Sequence, residues 1–423
     1  LKILAVVSYY PPHFVGGHEL GCRDVVDALR ARGHDVQLLT SSPRGVKPGR
    51  SGHVWRTLWA DGHRPKRGNP LLDKLGAVFW LLAREAANQR AFQAAVREFR
   101  PDVIQFWSIN GISISMALGA SRAATRDGAP VSFVVGDTWL QEWEGVDVWW
   151  RMWRRLAALS RRLRWLGALS RRVLKMPAPD ADLDTRHVVF VSQYLKMAAL
   201  RTGKKVKEAR IIPWGVRESD FPFVPRQKLG EKVRLLCAGQ IVPLKDPLTA
   251  VETLALLHRA GRTGITLTLA GGSVTPDYQR QVLERIGELG LQEAVDFRGQ
   301  VTREEMHELY RSHDIFIFPS HYKEGFGLVA LEAMMSGCLV VSTAQGGAAE
   351  VTRDGETGLT FSPGNAAQAA AAIESLLEDD EKAVRLRERA LQVARSEFAF
   401  EGMARAIEID LLEVGLSQVT RKS

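Results

Sequence analysis

Two carboxylates, Glu324 and Glu332, bracket the segment Glu324-Gly-Phe-Gly-Leu-Val-Ala-Leu-Glu332. An apolar run, Ile315 to Phe318, reads as a strand; a Pro-Ser corner follows it, and Val329 to Met335 reads as a helix. Free amides at such a helix start favour an anion such as a diphosphate. Carboxylates before the helix and inside its first turns are placed to accept hydrogen bonds from sugar hydroxyls. The outline is that of a nucleotide-sugar site. Taken alone, two glutamates at this spacing describe a solvated helix face; strand, corner and Gly-Phe-Gly together favour the site.

The elements that must position these groups fall into two successive α/β halves. In the first, strand Ile3–Val7 leads through a Pro- and Gly-containing loop to a helix from Glu19 to Arg32, stopped by Gly33. Further strands are expected at Val36–Thr40, Val103–Trp107, Val131–Val135 and Val188–Val191. The second half repeats the rhythm at Val233–Ala238, Ile265–Ala270, Val295–Phe297, Ile315–Phe318 and Leu339–Ser342. Short apolar strands alternating with helices imply parallel sheets covered on both faces. Pro and Gly concentrate between Pro213 and Pro225, marking the break. Residues 41–70, rich in Gly, Pro, Arg and His, read as a surface excursion, either facing a ligand or plainly irregular.

With 423 residues, the chain has room for two or three domains of about 150 residues each. Its three cysteines, Cys22, Cys237 and Cys338, lack metal-ligand spacing and read as buried thiols of a reducing compartment. The expected location is cytoplasmic: no secretory signal is read, and the apolar run Leu75–Ala83, closed by Arg84, is too short to span a bilayer. The net charge of +9 is unevenly placed: residues 149–176 hold nine Arg or Lys, four Trp and no acid. That amphipathic stretch admits an anionic membrane surface as partner, peripheral at the inner face, or packing on its own domain. A basic run with no recognised module does not indicate nucleic acid.

Lys245 follows the strand ending at Ala238 by a short loop, at the carboxyl end of the sheet where open α/β folds bind ligands. The loop Ser8 to His18 contains Gly16-Gly17, where backbone can approach a phosphate or sugar closely. His13 and His18 beside it read as surface histidines.

The stretch from Glu324 to Glu332 resembles the E-x7-E signature of retaining glycosyltransferase family 4. So do Ala238-Gly239-Gln240, Lys245-Asp246, Ala270-Gly271-Gly272, Phe297-Arg298-Gly299 and Gly346-Gly347. The resemblance implies a GT-B fold, two Rossmann-like domains with parallel sheets facing across a cleft. It divides the chain into residues 1–214 on the acceptor side, 215–398 on the nucleotide-sugar side, and a helix from 399 to 423 returning to the first domain. By the same resemblance Glu324 holds the donor sugar, Glu332 the ribose and Lys245 the diphosphate. Gly16, Gly17, Gln240, Gly325, Phe326, Gly327 and Leu328 would line the pocket, and the catalytic group would be Glu324, Lys245 and Asp137.

Neither a metal nor a cofactor is implied beyond the nucleotide-diphosphate sugar, which is substrate. The acceptor would be a hydroxyl of a glycan, a lipid-linked precursor or a small molecule. Two departures stand out. Gln240 occupies the place of a family arginine, and Gly136, in Val134-Val135-Gly136-Asp137, that of a family histidine. Asp137 then either faces sugar or acceptor, or caps the following helix. These departures keep open a non-catalytic nucleotide-sugar-binding scaffold or regulatory subunit; a sugar-nucleotide epimerase of the same fold is a further alternative.

Overall fold

The computed structural model describes residues 1–423 apart from 14–15, 43–45, 61–69, 108, 113, 125–127, 147–182, 184, 204–205, 227 and 423. The basic stretch 149–176 therefore lies outside the described residues. Two compact units emerge: residues 1–191, 195–212 and 404–423 form the first, and 192–194 with 213–403 the second.

The first unit is built on eight strands: β1 (Lys2–Val6), β2 (Asp35–Ser41), β3 (Gly49–Ser51), β4 (Val54–Leu58), β5 (Val103–Phe106), β6 (Val131–Val135), β7 (His187–Phe190) and β8 (Glu208–Ile211). Their order is β3-β4-β2-β1-β5-β6-β7-β8, parallel throughout except for β3 against β4. Every residue of β5 and β6 is buried, the polar Gln105 and Ser132 included, as strands of a doubly covered sheet are. The strand order reverses between β1 and β5, so the loops after these two strands diverge and leave a crevice at their carboxyl ends. The last helix, Phe400–Lys422, belongs to this unit from Ala404 onward; its Glu408 meets His34 at 2.9 Å.

The stretch 41–70 is not the irregular excursion that its composition suggests. It contains β3 and β4, and β4 pairs in parallel with β2 while burying Trp55 and Leu58. Only five residues long and flanked by Gly, Arg and His, β4 is too short for its alternation to stand out. Two further strands were equally hard to see: β8, an edge strand with exposed ends, and the two-residue β14 of the second unit.

Six strands form the second unit: β9 (Arg234–Ala238), β10 (Thr266–Ala270), β11 (Val295–Gly299), β12 (Ile315–Phe318), β13 (Leu339–Ser342) and β14 (Leu359–Thr360). All are parallel, in the order β11-β10-β9-β12-β13-β14. Here the reversal falls between β9 and β12, which pair through Ile315 with Leu235 and Phe316 with Leu236. A helix from Pro247 to Arg259 follows β9, with Pro247 at its first turn and the Asp246 carboxylate accepting from Thr249 N. After β12 the helix Leu328–Met335 begins at Gly327, whose φ of 96° is left-handed. Among the described residues no helix is long and apolar enough to cross a membrane.

Candidate functional site

At the second unit's reversal the two strands bring together residues far apart in sequence. Lys245, seven residues beyond β9, places Nζ 2.5 Å from Glu324 Oε1, and Ser320 Oγ donates to the same oxygen at 2.7 Å. Lys245 also lies against the rings of Phe318 and Tyr322, 5.8 and 5.5 Å from their centroids. The amides of His321 and Tyr322 both donate to Leu244 O, and His321 Nε2 meets Asp246 Oδ2 at 2.8 Å. The loops after β9 and β12 are thus laced together around the ammonium–carboxylate pair.

A third loop, following β13, holds the backbone of Glu324. Glu324 N donates to Gln345 O, and Gly347 N donates to Glu324 O at 2.7 Å. A Cβ on Gly347 would stand 2.1 Å from Gly325 O, so only glycine permits this approach. Ser192, which belongs with this unit, donates to Gly325 O at 2.6 Å.

The remaining expected lining residues separate by role. Leu328 opens the helix, and the amides of Ala330 and Leu331 both donate to Gly327 O. Phe326 turns its ring into the core against Phe398, centroids 5.5 Å apart, so it offers a ligand only its backbone. Gln240 is exposed just past β9. Glu332 Oε2 accepts from the hydroxyl of fully buried Tyr310 at 3.0 Å. Burial pushes the Glu332 carboxyl up to about 7, opposed by the Tyr310 hydrogen bond and the Arg303 charge.

In the first unit, the loop after β1 carries Gly16 and Gly17 into the helix Gly17–Ala31, and Gly16 N donates to Glu19 Oε2 at 3.0 Å. Asp137, after β6, caps the helix Trp139–Val146: Oδ1 accepts from Trp139 N at 2.8 Å, and Oδ2 from Asn110 Nδ2 at 3.2 Å. Burial raises its pKa. The capping alternative therefore describes its geometry.

His18 is not the surface histidine expected. Both its ring nitrogens are buried, its ring packs edge-on against Trp107 at 5.7 Å, and burial lowers its pKa to about 4. A Cβ on Gly136 would come within 2.2 Å of His18 Nδ1. The glycine at position 136 is there because an imidazole from the first turn of the helix Gly17–Ala31 fills its side-chain space. A glycine ending a strand was the only sequence hint of this; Ser320 was visible only as part of the Pro-Ser corner, and nothing in the sequence pointed to Tyr310 or Asn110. Among the described residues no cluster of three His, Cys, Asp or Glu forms a metal site.

Comparison with known proteins identifies the family of the chain. The profile for glycosyltransferase family 4 matches residues 15–220, and that for group 1 glycosyl transferases matches residues 221–393. Glycogen synthase of Mycobacterium tuberculosis is 28% identical over 96% of this chain and 93% of its own length. The D-inositol 3-phosphate glycosyltransferase of Arthrobacter sp. is 39% identical over 40% of this chain and 42% of its own. Among solved structures, sucrose-phosphate synthase of Thermosynechococcus elongatus superposes over the full length of both chains at TM-score 0.71 and 21% identity. Anabaena HepE, solved with UDP-glucose, superposes over 97% of this chain and 99% of its own at 0.67 and 20%. Two parallel doubly wound sheets of this kind define a GT-B fold.

The chain belongs to the group 1 glycosyltransferases of family 4. It is a nucleotide-sugar-dependent glycosyltransferase.

Proposed function

We propose that the protein retains anomeric configuration while transferring a sugar from a nucleoside diphosphate to a hydroxyl acceptor, with the donor held at the reversal between β9 and β12. The observation that carries this reading is the Lys245–Glu324 pair, delivered by the two strands at the reversal, beside a glycine-rich helix start. On donor binding Lys245 leaves Glu324 for the diphosphate, joined by amides near Gly325 and Gly327. Glu324, still held by Ser320, then accepts from the sugar hydroxyls, and Glu332 from the ribose. With Gln240 uncharged, Lys245 and the helix start carry the stabilisation of the leaving diphosphate. In a front-face displacement the acceptor attacks on the side the diphosphate leaves, and the departing phosphate oxygen takes its proton. Positioning then matters more than a strong protein base, consistent with an Asp137 engaged in capping.

UDP-glucose is the first donor to try, since HepE was solved with it. A glucan and an inositol phosphate are the first acceptors, given the two relatives above. Product analysis by proton NMR of the anomeric coupling tests the reading. An α-linked product from an α-linked donor is expected; a β-linked product overturns retention, and a changed sugar nucleotide formed from donor alone marks an epimerase. We place the enzyme in the cytoplasm, in line with its three buried free cysteines. Membrane contact through 149–176 rests on sequence alone; co-sedimentation with anionic but not zwitterionic vesicles would support it.

A further inference from the structure

The segment 217–222 and the helix Arg303–Ser312 stand behind Glu332 and present a polar set that the proposed reaction does not yet use. Tyr310 is fully buried, with its ring edge-on to Phe221 and Phe316 at 6.0 and 5.9 Å. Its carbonyl accepts from Arg226 Nη2 at 3.2 Å. Phe221 is itself packed on His307 at 4.6 Å, and Arg303 donates to Asp220 Oδ2 at 3.2 Å. The tyrosine is therefore fixed at ring and backbone, which fixes where its hydroxyl oxygen stands. That hydroxyl donates to Glu332 Oε2, and among the described residues no donor is bound to Oε1.

We propose that Tyr310 is a positioning residue for donor recognition: its hydroxyl holds one oxygen of Glu332 so that the other faces the ribose diol. The inference rests on the donor site proposed above. A carboxylate on a helix has free rotation about its terminal bonds, and losing that freedom on binding weakens a contact. A hydroxyl clamp removes the freedom beforehand.

Charge supports the same role. Among the groups facing Glu332, Arg303 and Asp220 pair with each other, so their opposite effects largely offset. Arg387, from the helix Asp380–Glu397 packed on the Glu332 helix, is committed to Gly337 O and the Arg226 carbonyl. The Tyr310 bond is then the chief influence opposing the rise that burial imposes on the Glu332 carboxyl. Tyr310 itself stays neutral, since burial and Glu332 raise its own pKa well above the usual value, and so it remains a donor at all working pH values.

The test is calorimetric titration of full-length wild type, Tyr310→Phe, Glu332→Gln and the double variant. UDP, GDP and ADP serve as probes, each against its 2′,3′-dideoxy counterpart. Wild type should prefer the ribonucleotide. Tyr310→Phe should weaken the ribonucleotide roughly ten- to a hundred-fold, as loss of a hydrogen bond to a charged group implies, and leave the dideoxy form within about two-fold. In the Glu332→Gln background Tyr310→Phe should add nothing. A purely structural tyrosine would weaken both nucleotides equally, and that result overturns the proposal. So does an unchanged Tyr310→Phe in a protein whose wild type discriminates the diol. A wild type that binds no nucleotide, or fails to discriminate, overturns the underlying ribose assignment and this proposal together.

Discussion

The contact between His18 and Gly136 makes a quantitative prediction about the first unit. The backbone of Gly136 is outside the left-handed region, so alanine is conformationally allowed there and any penalty must come from the imidazole. A Cβ would stand 2.2 Å from Nδ1 and 2.8 Å from Cε1. To restore ordinary contact the ring has to retreat by roughly 1.2–1.8 Å, against Trp107 and the start of its own helix. Overpacking of this size costs about 1–3 kcal/mol. Once His18 is shortened to alanine the space is vacant, and Gly136→Ala should become neutral or stabilise by roughly 0.4–1 kcal/mol through the unfolded chain. Equilibrium urea unfolding of wild type, both single variants and the double variant closes the cycle. The expected coupling is about 1–3 kcal/mol, well above the roughly 0.3–0.5 kcal/mol scatter of independent sites. An equal cost of Gly136→Ala in both backgrounds would refute the claim that the imidazole dictates the glycine.

Three further outcomes are expected. Glu324→Gln releases Lys245 from its 2.5 Å partner, so nucleoside diphosphate should bind as tightly as in wild type or tighter while transfer collapses; isothermal titration and initial rates would show the split, and parallel losses of both would count against it. Gly347→Ala drives a methyl into Gly325 O and should lower donor affinity without unfolding the second unit, measurable as a raised donor KM with circular dichroism retained. The Glu332 carboxyl, raised from 4.5 to about 7, binds more protons folded than unfolded between those values. Its contribution to stability therefore falls as pH rises across that window and is constant above it. Ribose binding needs the ionised form, so nucleotide affinity should improve as pH rises through about 7, and Glu332→Gln should flatten both trends.

The parts of the fold legible in the sequence share one physical cause. Strands such as β5, β6, β12 and β13 are buried at every position and so are mostly apolar, with only Gln105, Ser132 and Ser342 as polar members, which a sequence displays directly. β4 escaped because half of it is only partly buried and its neighbours are polar. At the site, Lys245, Glu324 and Glu332 could be picked out because each stands at a fixed offset from a strand end or helix start. Which atoms they touch could not. Tyr310 lies 22 residues from Glu332, and His18 meets Gly136 only because β1 and β6 flank β5 in the same sheet. Asp137 had two readings in the sequence; its Oδ1 accepts from the amide of Trp139, the contact that the capping reading expects.

The most direct test of the donor site is a thermal-shift screen of UDP-, GDP-, ADP- and TDP-sugars against wild type, Lys245→Ala and Glu332→Ala. Selective stabilisation of wild type by one nucleotide class, lost in both variants, is the predicted result. Stabilisation that survives in both, or none by any donor in folded protein, would contradict the placement of the diphosphate and ribose at the reversal between β9 and β12.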